Sequence, residues 1–164
     1  MKMRKAKPED FEVYENFLTD FKYETLYRGN EVELKPQKDE DEMAVKFLLE
    51  ILPIKETEFG TLAKFLKDLQ KDYMRIYMCV VNKQITGFVQ LGNIYGTKWK
   101  MQYLYLLPEY QTVEVLAEIV EFLQTKANMA QIDVCALGRY EDFLQKIGFT
   151  KVAPIYYRKQ RVKG

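Results

Sequence analysis

The sequence contains no histidine and no serine. These two absences exclude whole classes of catalysis. No Ser-His-Asp triad, Cys-His dyad, HExxH zinc site or facial iron triad can be assembled without them. The phosphate-cradling pattern GxxxxGK[ST] is also missing. Proton transfer is left to Asp, Glu, Tyr, Lys, Cys, water or the backbone, and no metal site is expected. Cysteine is scarce. Cys79 and Cys135 lie far apart, each in an apolar run, and read as two free, buried thiols. No apolar run approaches the length of a membrane span. The segment Met1 to Asp10 is charged and lacks the apolar centre of a secretory signal. The expectation is a cytoplasmic protein with no membrane partner. An excess of charge of one sign is lacking too: 25 basic residues against 24 acidic ones give +1. Without the basic excess of a nucleic-acid binder, no nucleic-acid partner is expected.

What is present describes an ordinary globular chain. It has 164 residues, of which 48% are hydrophobic, enough for one domain over residues 1–164 with a real core. Met1 to Ala6 reads as a short strand. Pro8-Glu9-Asp10 reads as the first turn of a helix, with Pro at the first helical position and acids at the positive dipole end. Phe11, Tyr14, Phe17, Leu18 and Phe21 continue it at helical spacing. The acidic run Asp39 to Glu42 reads as another helix start, followed by an apolar face of Met43, Ala44, Phe47 and Leu48 and stopped by Pro53. Thr57 is positioned to cap a third helix, with Leu62, Phe65, Leu66 and Leu69 as its stripe.

The period then changes. Met74–Val81, Ile85–Ile94 and Trp99–Leu107 read as three antiparallel strands, the first two joined by a tight turn at Asn82-Lys83-Gln84. Thr112 to Ala127 reads as a helix with Val115, Leu116, Ile119, Val120 and Leu123 inward. Gln131–Leu137 is a short buried strand, so strand, helix and strand form a βαβ unit with parallel pairing. Tyr140 to Ile147 reads as a short helix ended by Gly148, and Phe149 to Lys159 as strand interrupted at Pro154. Alternation along the third strand puts Trp99, Met101, Tyr103, Tyr105 and Leu107 on one face. Two readings stand for these aromatics: sheet packing, or the wall of a pocket for an aromatic, acyl or cationic ligand, completed by Tyr23 and Tyr27. The basic stretch Arg158 to Lys163 reads as a solvated tail, and Arg139 as a candidate anion contact.

Four segments carry a resemblance to a known family: MKMRKAKPED at residues 1–10, ITGFV at 85–89, YLYLLPEYQ at 103–111 and FLQKIGF at 143–149. In this order they resemble the GNAT superfamily of acyl-CoA-dependent N-acetyltransferases. The resemblance implies a mixed α/β fold, with a mostly antiparallel sheet of six to seven strands, one splayed parallel pair, and flanking helices. It implies acetyl-CoA as co-substrate, with its arm against the backbone of Leu106 and Leu107. Its pyrophosphate would lie on Gln111, Thr112, Val113, Glu114, Val115 and Leu116, at the start of a helix. Glu114 and Leu116 stand where the family carries glycines, so a carboxylate faces the expected anion. At about 5 Å and an effective dielectric near 20, that costs roughly 3 kcal/mol. The alternative is that Glu114 neutralises its own helix end. The family's tyrosine acid corresponds to Leu144, which leaves Tyr140, one turn earlier, as the candidate acid. The acceptor, a small-molecule or peptide amine, would enter past Tyr23, Tyr27, Tyr103 and Tyr105 and attack the thioester directly. A non-catalytic ligand- or protein-binding module on the same fold is the alternative. Open sheet edges are compatible with a homodimer.

Overall fold

The computed structural model describes residues 1–17, 19, 38–50 and 62–162. Tyr23, Tyr27, Pro53 and Thr57 lie outside the described residues. One seven-stranded sheet runs in the order β1-β2-β3-β4-β5-β7-β6. Its strands are β1 (Lys2–Lys5), β2 (Met74–Val81), β3 (Gln84–Tyr95), β4 (Lys98–Leu106), β5 (Gln131–Cys135), β6 (Thr150–Ala153) and β7 (Tyr156–Gln160). Every neighbouring pair is antiparallel except β4 and β5. The helices are α1 (residues 11–17), α2 (Asp39–Glu50), α3 (Leu62–Leu69), α4 (Val113–Thr125) and α5 (Glu141–Lys146).

Local chemistry explains the punctuation. Asn82 and Lys83 have φ of 51° and 65°, as a two-residue hairpin turn matched to strand twist requires. Pro8 opens a 3-10 turn ahead of α1. Asp10 accepts hydrogen bonds there from the Lys7 amide at 2.8 Å and from both arms of Arg4 at 2.7 and 2.8 Å. Gly148, at φ +99°, ends α5. Its amide bonds the Gln145 carbonyl and the Phe149 amide bonds that of Leu144, the paired bonds of a glycine-terminated helix.

Two apolar layers sandwich the sheet. One joins Tyr14, Phe17, Phe65, Ile76, Met78, Phe88 and Tyr105 beneath α1 and α3. The larger lies beneath α2, α4 and α5. The expected single face of the third strand is corrected by a bulge. Gln90 pairs with Tyr103 but Leu91 pairs with Met101, so Gln102 is the extra residue and the alternation slips by one. Trp99 and Met101 therefore join Leu104 and Leu106 in the larger layer, whereas Tyr105 belongs to the smaller one. The basic C-terminal stretch is likewise not a free tail. Arg158 to Gln160 belong to β7, and Arg158 makes two bonds, of 2.8 and 3.2 Å, to buried Asp133 on β5.

Candidate functional site

The parallel seam is short. β4 and β5 pair only at Lys98–Gln131, Trp99–Ile132 and Lys100–Asp133. β4 runs on to Leu106 and β5 to Cys135, so beyond Lys100 and Asp133 the strands part. The Leu107 amide donates to the Thr86 carbonyl at 2.8 Å and is committed to β3. By alternation, Leu106 turns its backbone groups toward the opening. The Leu106 carbonyl accepts from Gln111 Nε2 at 2.7 Å. Gln111 is only 1% exposed, and its Oε1 has no hydrogen-bond partner among the described residues. A buried amide oxygen left this way costs about 1–3 kcal/mol and marks a place for an N–H donor.

At the mouth of the opening, Thr112 caps α4 and accepts from the Val115 amide at 3.3 Å. The next free donor, the Val113 amide, points at Asp41 Oδ1 of α2, 3.4 Å away. Asp41 thus brings a carboxylate to this helix end from another element. Glu114, the acid singled out in the sequence, turns outward and pairs with Lys38 at 2.9 Å. That pairing holds the Glu114 carboxyl below its ordinary range. Leu116 faces the larger apolar layer at 2% exposure, so its side chain is part of the core.

α2 lies across the opening and touches β4, α4 and α5. Ala44, Phe47 and Leu48 are buried there. The Phe47 ring stands 5.7 Å from that of Tyr140 and 5.3 Å from that of Phe143. A gap of about 10 Å³ remains between Phe47 and the surrounding Leu104, Leu116 and Val134. With α2 seated, the side-chain layer beside the parting strands is filled. Tyr140, the candidate acid, is fully buried against Phe47, with the Arg139 guanidinium 5.3 Å from its ring. Burial raises its hydroxyl above the ordinary tyrosine value, and Arg139 only partly opposes this. Leu144 is also fully buried.

On the opposite face, Tyr105 packs against Phe17, with ring centroids 5.5 Å apart, and presents almost no surface. Tyr103 is partly exposed and borders both layers. Beside it lies a polar chain that the sequence did not disclose. Tyr14 donates to Gln90 Oε1 at 3.3 Å, and Gln90 Nε2 donates to Asp68 at 3.3 Å. Asp68 also pairs with Lys64 and Lys71. Burial pushes the Tyr14 hydroxyl well up. These residues sit at positions 14, 68 and 90, with no shared motif; tertiary packing alone unites them. Among the described residues, no group of three acids or cysteines is placed to hold a metal, and no helix is long and apolar enough to cross a membrane.

No family model matches the sequence, and no curated protein matches it. Solved structures do. The PaiA N-acetyltransferase of Thermoplasma acidophilum, in complex with coenzyme A, is 19% identical, with 98% of each chain covered and a TM-score of 0.61. The ribosomal-protein-S5-alanine acetyltransferase of Vibrio fischeri is 17% identical over 96% of this chain and 91% of that one, at 0.61. The spermidine N-acetyltransferase SpeG of Vibrio cholerae is 10% identical over 98% of this chain and 95% of that one, at 0.57.

Proposed function

We propose that this chain, which has the fold of the GNAT N-acetyltransferases, moves an acetyl group from acetyl-CoA to a primary amine. The observation that carries this reading is the seam. Two parallel strands pair over three positions and then part, with a capped helix start at the mouth of the gap. Such a gap offers unpaired strand backbone to a thin polar arm, and the helix start offers amides and a positive dipole to a phosphate. Leu106 and Gln111 would hold the arm, and the first turn from Thr112 to Leu116, with Glu114 at its rim, would face the phosphates. Leu107 would act from its side of β4 through packing, since its amide is spent on Thr86. Tyr103 and Tyr105 would back the acceptor side, with Tyr23 and Tyr27 as its remaining proposed contacts. Direct attack by a neutral amine requires no protein base. Tyr140, kept protonated by burial, is the proposed acid for the leaving thiolate.

Two of the solved structures similar to this chain are named for spermidine and for an alanine of ribosomal protein S5 as their acceptors. The proposed acceptors here are accordingly small-molecule or peptide amines. The test is mass spectrometry of an amine panel (polyamines, aminoglycosides, peptides with free N-termini) incubated with the protein and acetyl-CoA. A gain of one acetyl group on at least one amine, dependent on the protein, supports the reading; no transfer to any of them counts against it. The contact between Asp41 and Val113 favours a second reading, a binding module on the same fold whose anion site is filled by its own acid.

A further inference from the structure

We propose that α2 is a gate, built into the chain, that closes the β4–β5 opening and must lift for acetyl-CoA to enter. This inference rests on the acyltransferase reading above. α2 supplies, from one face, a substitute for each end of the ligand that reading requires. Asp41 places a carboxylate oxygen 3.4 Å from the Val113 amide, at the helix start where the phosphates would lie. One and two turns further on, Ala44, Phe47 and Leu48 are buried in the same apolar layer as Leu104, Leu106 and Val134, and Phe47 shares a gap with Leu104 and Val134. Phe47 leaves a gap of only about 10 Å³ among the strand and helix side chains around it. An arm between the strands and Phe47 cannot both be accommodated. A phosphate and Asp41 cannot share one helix start, because like charges a few ångströms apart in a partly buried site repel strongly.

The closure is built to release. Its outer contacts are two surface pairs, Lys38 with Glu114 at 2.9 Å and Glu40 with Lys146 at 3.4 Å, all four side chains about half exposed. Exposed pairs of this kind hold weakly and yield to salt. The first turn of α2 carries four consecutive acids, Asp39 to Glu42, so an incoming polyanion repels the very segment that must leave. The closed state also leaves a polar group unsatisfied. Gln111 Oε1 is buried without a donor among the described residues, and the amide N–H groups of an acyl-CoA arm are of the kind it lacks.

Hydrogen exchange of the intact protein with and without millimolar acetyl-CoA tests the gate directly, alongside titration calorimetry of the wild type and Asp41→Asn. This variant keeps the shape of the side chain and removes its charge. The expected result is that acetyl-CoA speeds exchange of the α2 amides at residues 43–48 by about tenfold or more, while slowing those at 113–116. Asp41→Asn should bind acetyl-CoA at least about tenfold more tightly than wild type. Binding by Asp41→Asn alone also supports the gate, as one that stays shut in the wild type. If the wild type binds or transfers acetyl while residues 43–48 keep their protection and Asp41→Asn changes nothing, the gate is overturned and the acyltransferase reading stands. If neither form binds acetyl-CoA, both fall together.

Discussion

Gly87 of β3 lies so close to Tyr105 of β4 that a methyl group on the glycine would overlap the Tyr105 carbonyl oxygen. Backbone cannot swing aside as a side-chain tip can. Gly87→Ala should therefore destabilise the protein by about 3 kcal/mol. Gly92 provides the contrast. A methyl group there meets the amide end of Gln102 at 2.5 Å, and that end is free to rotate. Gly92→Ala should cost less than about 1 kcal/mol. Urea unfolding of the two variants checks the pair, and equal losses would contradict the assigned register.

Asp10 sets a pH limit at the acidic end. Burial alone would raise its carboxyl, but hydrogen bonds from Arg4 and from the Lys7 amide outweigh this and hold it below the usual carboxylate range. A depressed folded value stabilises at any pH above the unfolded value near 3.9, and that stability is lost as pH falls through the lower folded value. Asp10→Asn should lower stability at pH 7 by about 1 kcal/mol, a modest figure because water screens the exposed side of Arg4. The gap between wild type and variant should close as pH drops below about 4. Thermal melts from pH 7 to pH 3 measure it.

Leu116 separates core from cofactor. The resemblance implies a glycine at its place in the motif, yet its side chain lies in the larger apolar layer. Leu116→Ala should therefore lower stability by about 3 kcal/mol, and should not tighten acetyl-CoA binding. Unfolding and calorimetry on the same preparation decide it. Tighter binding without loss of stability would place Leu116 at the ligand.

Tyr140 is to be tested as the proposed acid by Tyr140→Phe, which keeps the ring against Phe47. If its hydroxyl protonates the leaving thiolate, kcat should fall about a hundredfold with KM for acetyl-CoA unchanged. An unchanged kcat would assign that proton to water.

The two thiols should behave differently. Burial pushes the Cys79 thiol up to about 12, whereas Cys135 is partly exposed beside Lys100. A thiol reagent should therefore modify one cysteine in the native protein and both after unfolding.

The strands, the helix starts and their order were legible in the sequence because each leaves a local signal: a short run of apolar and aromatic residues in β2, acids ahead of an apolar stripe in α2, glycine after α5. The face of Tyr105 was not legible, because one extra residue at Gln102 reverses the alternation beyond it and no local pattern marks a bulge there. The amphipathic stripe of α2 was legible, but its destination was not. Nothing in residues 39–48 says that Phe47 will sit beside Tyr140, or that Asp41 will meet an amide seventy-two positions away. Glu114, near in sequence, accepts from its own backbone amide at the helix start and pairs with Lys38; a second acid, Asp41, reaches the same helix start from another element.

The three-pair seam between β4 and β5 divides the sheet into two leaves on one short spine. On one side, β1 to β4 form a continuous antiparallel ladder; on the other, β5, β7 and β6 form a second. What binds the leaves is mostly the apolar filling between the sheet and α2, α4 and α5. Cohesion across the spine therefore follows the thermodynamics of packed side chains more than that of backbone ladders. That cohesion weakens on cooling, as the stability of apolar packing does.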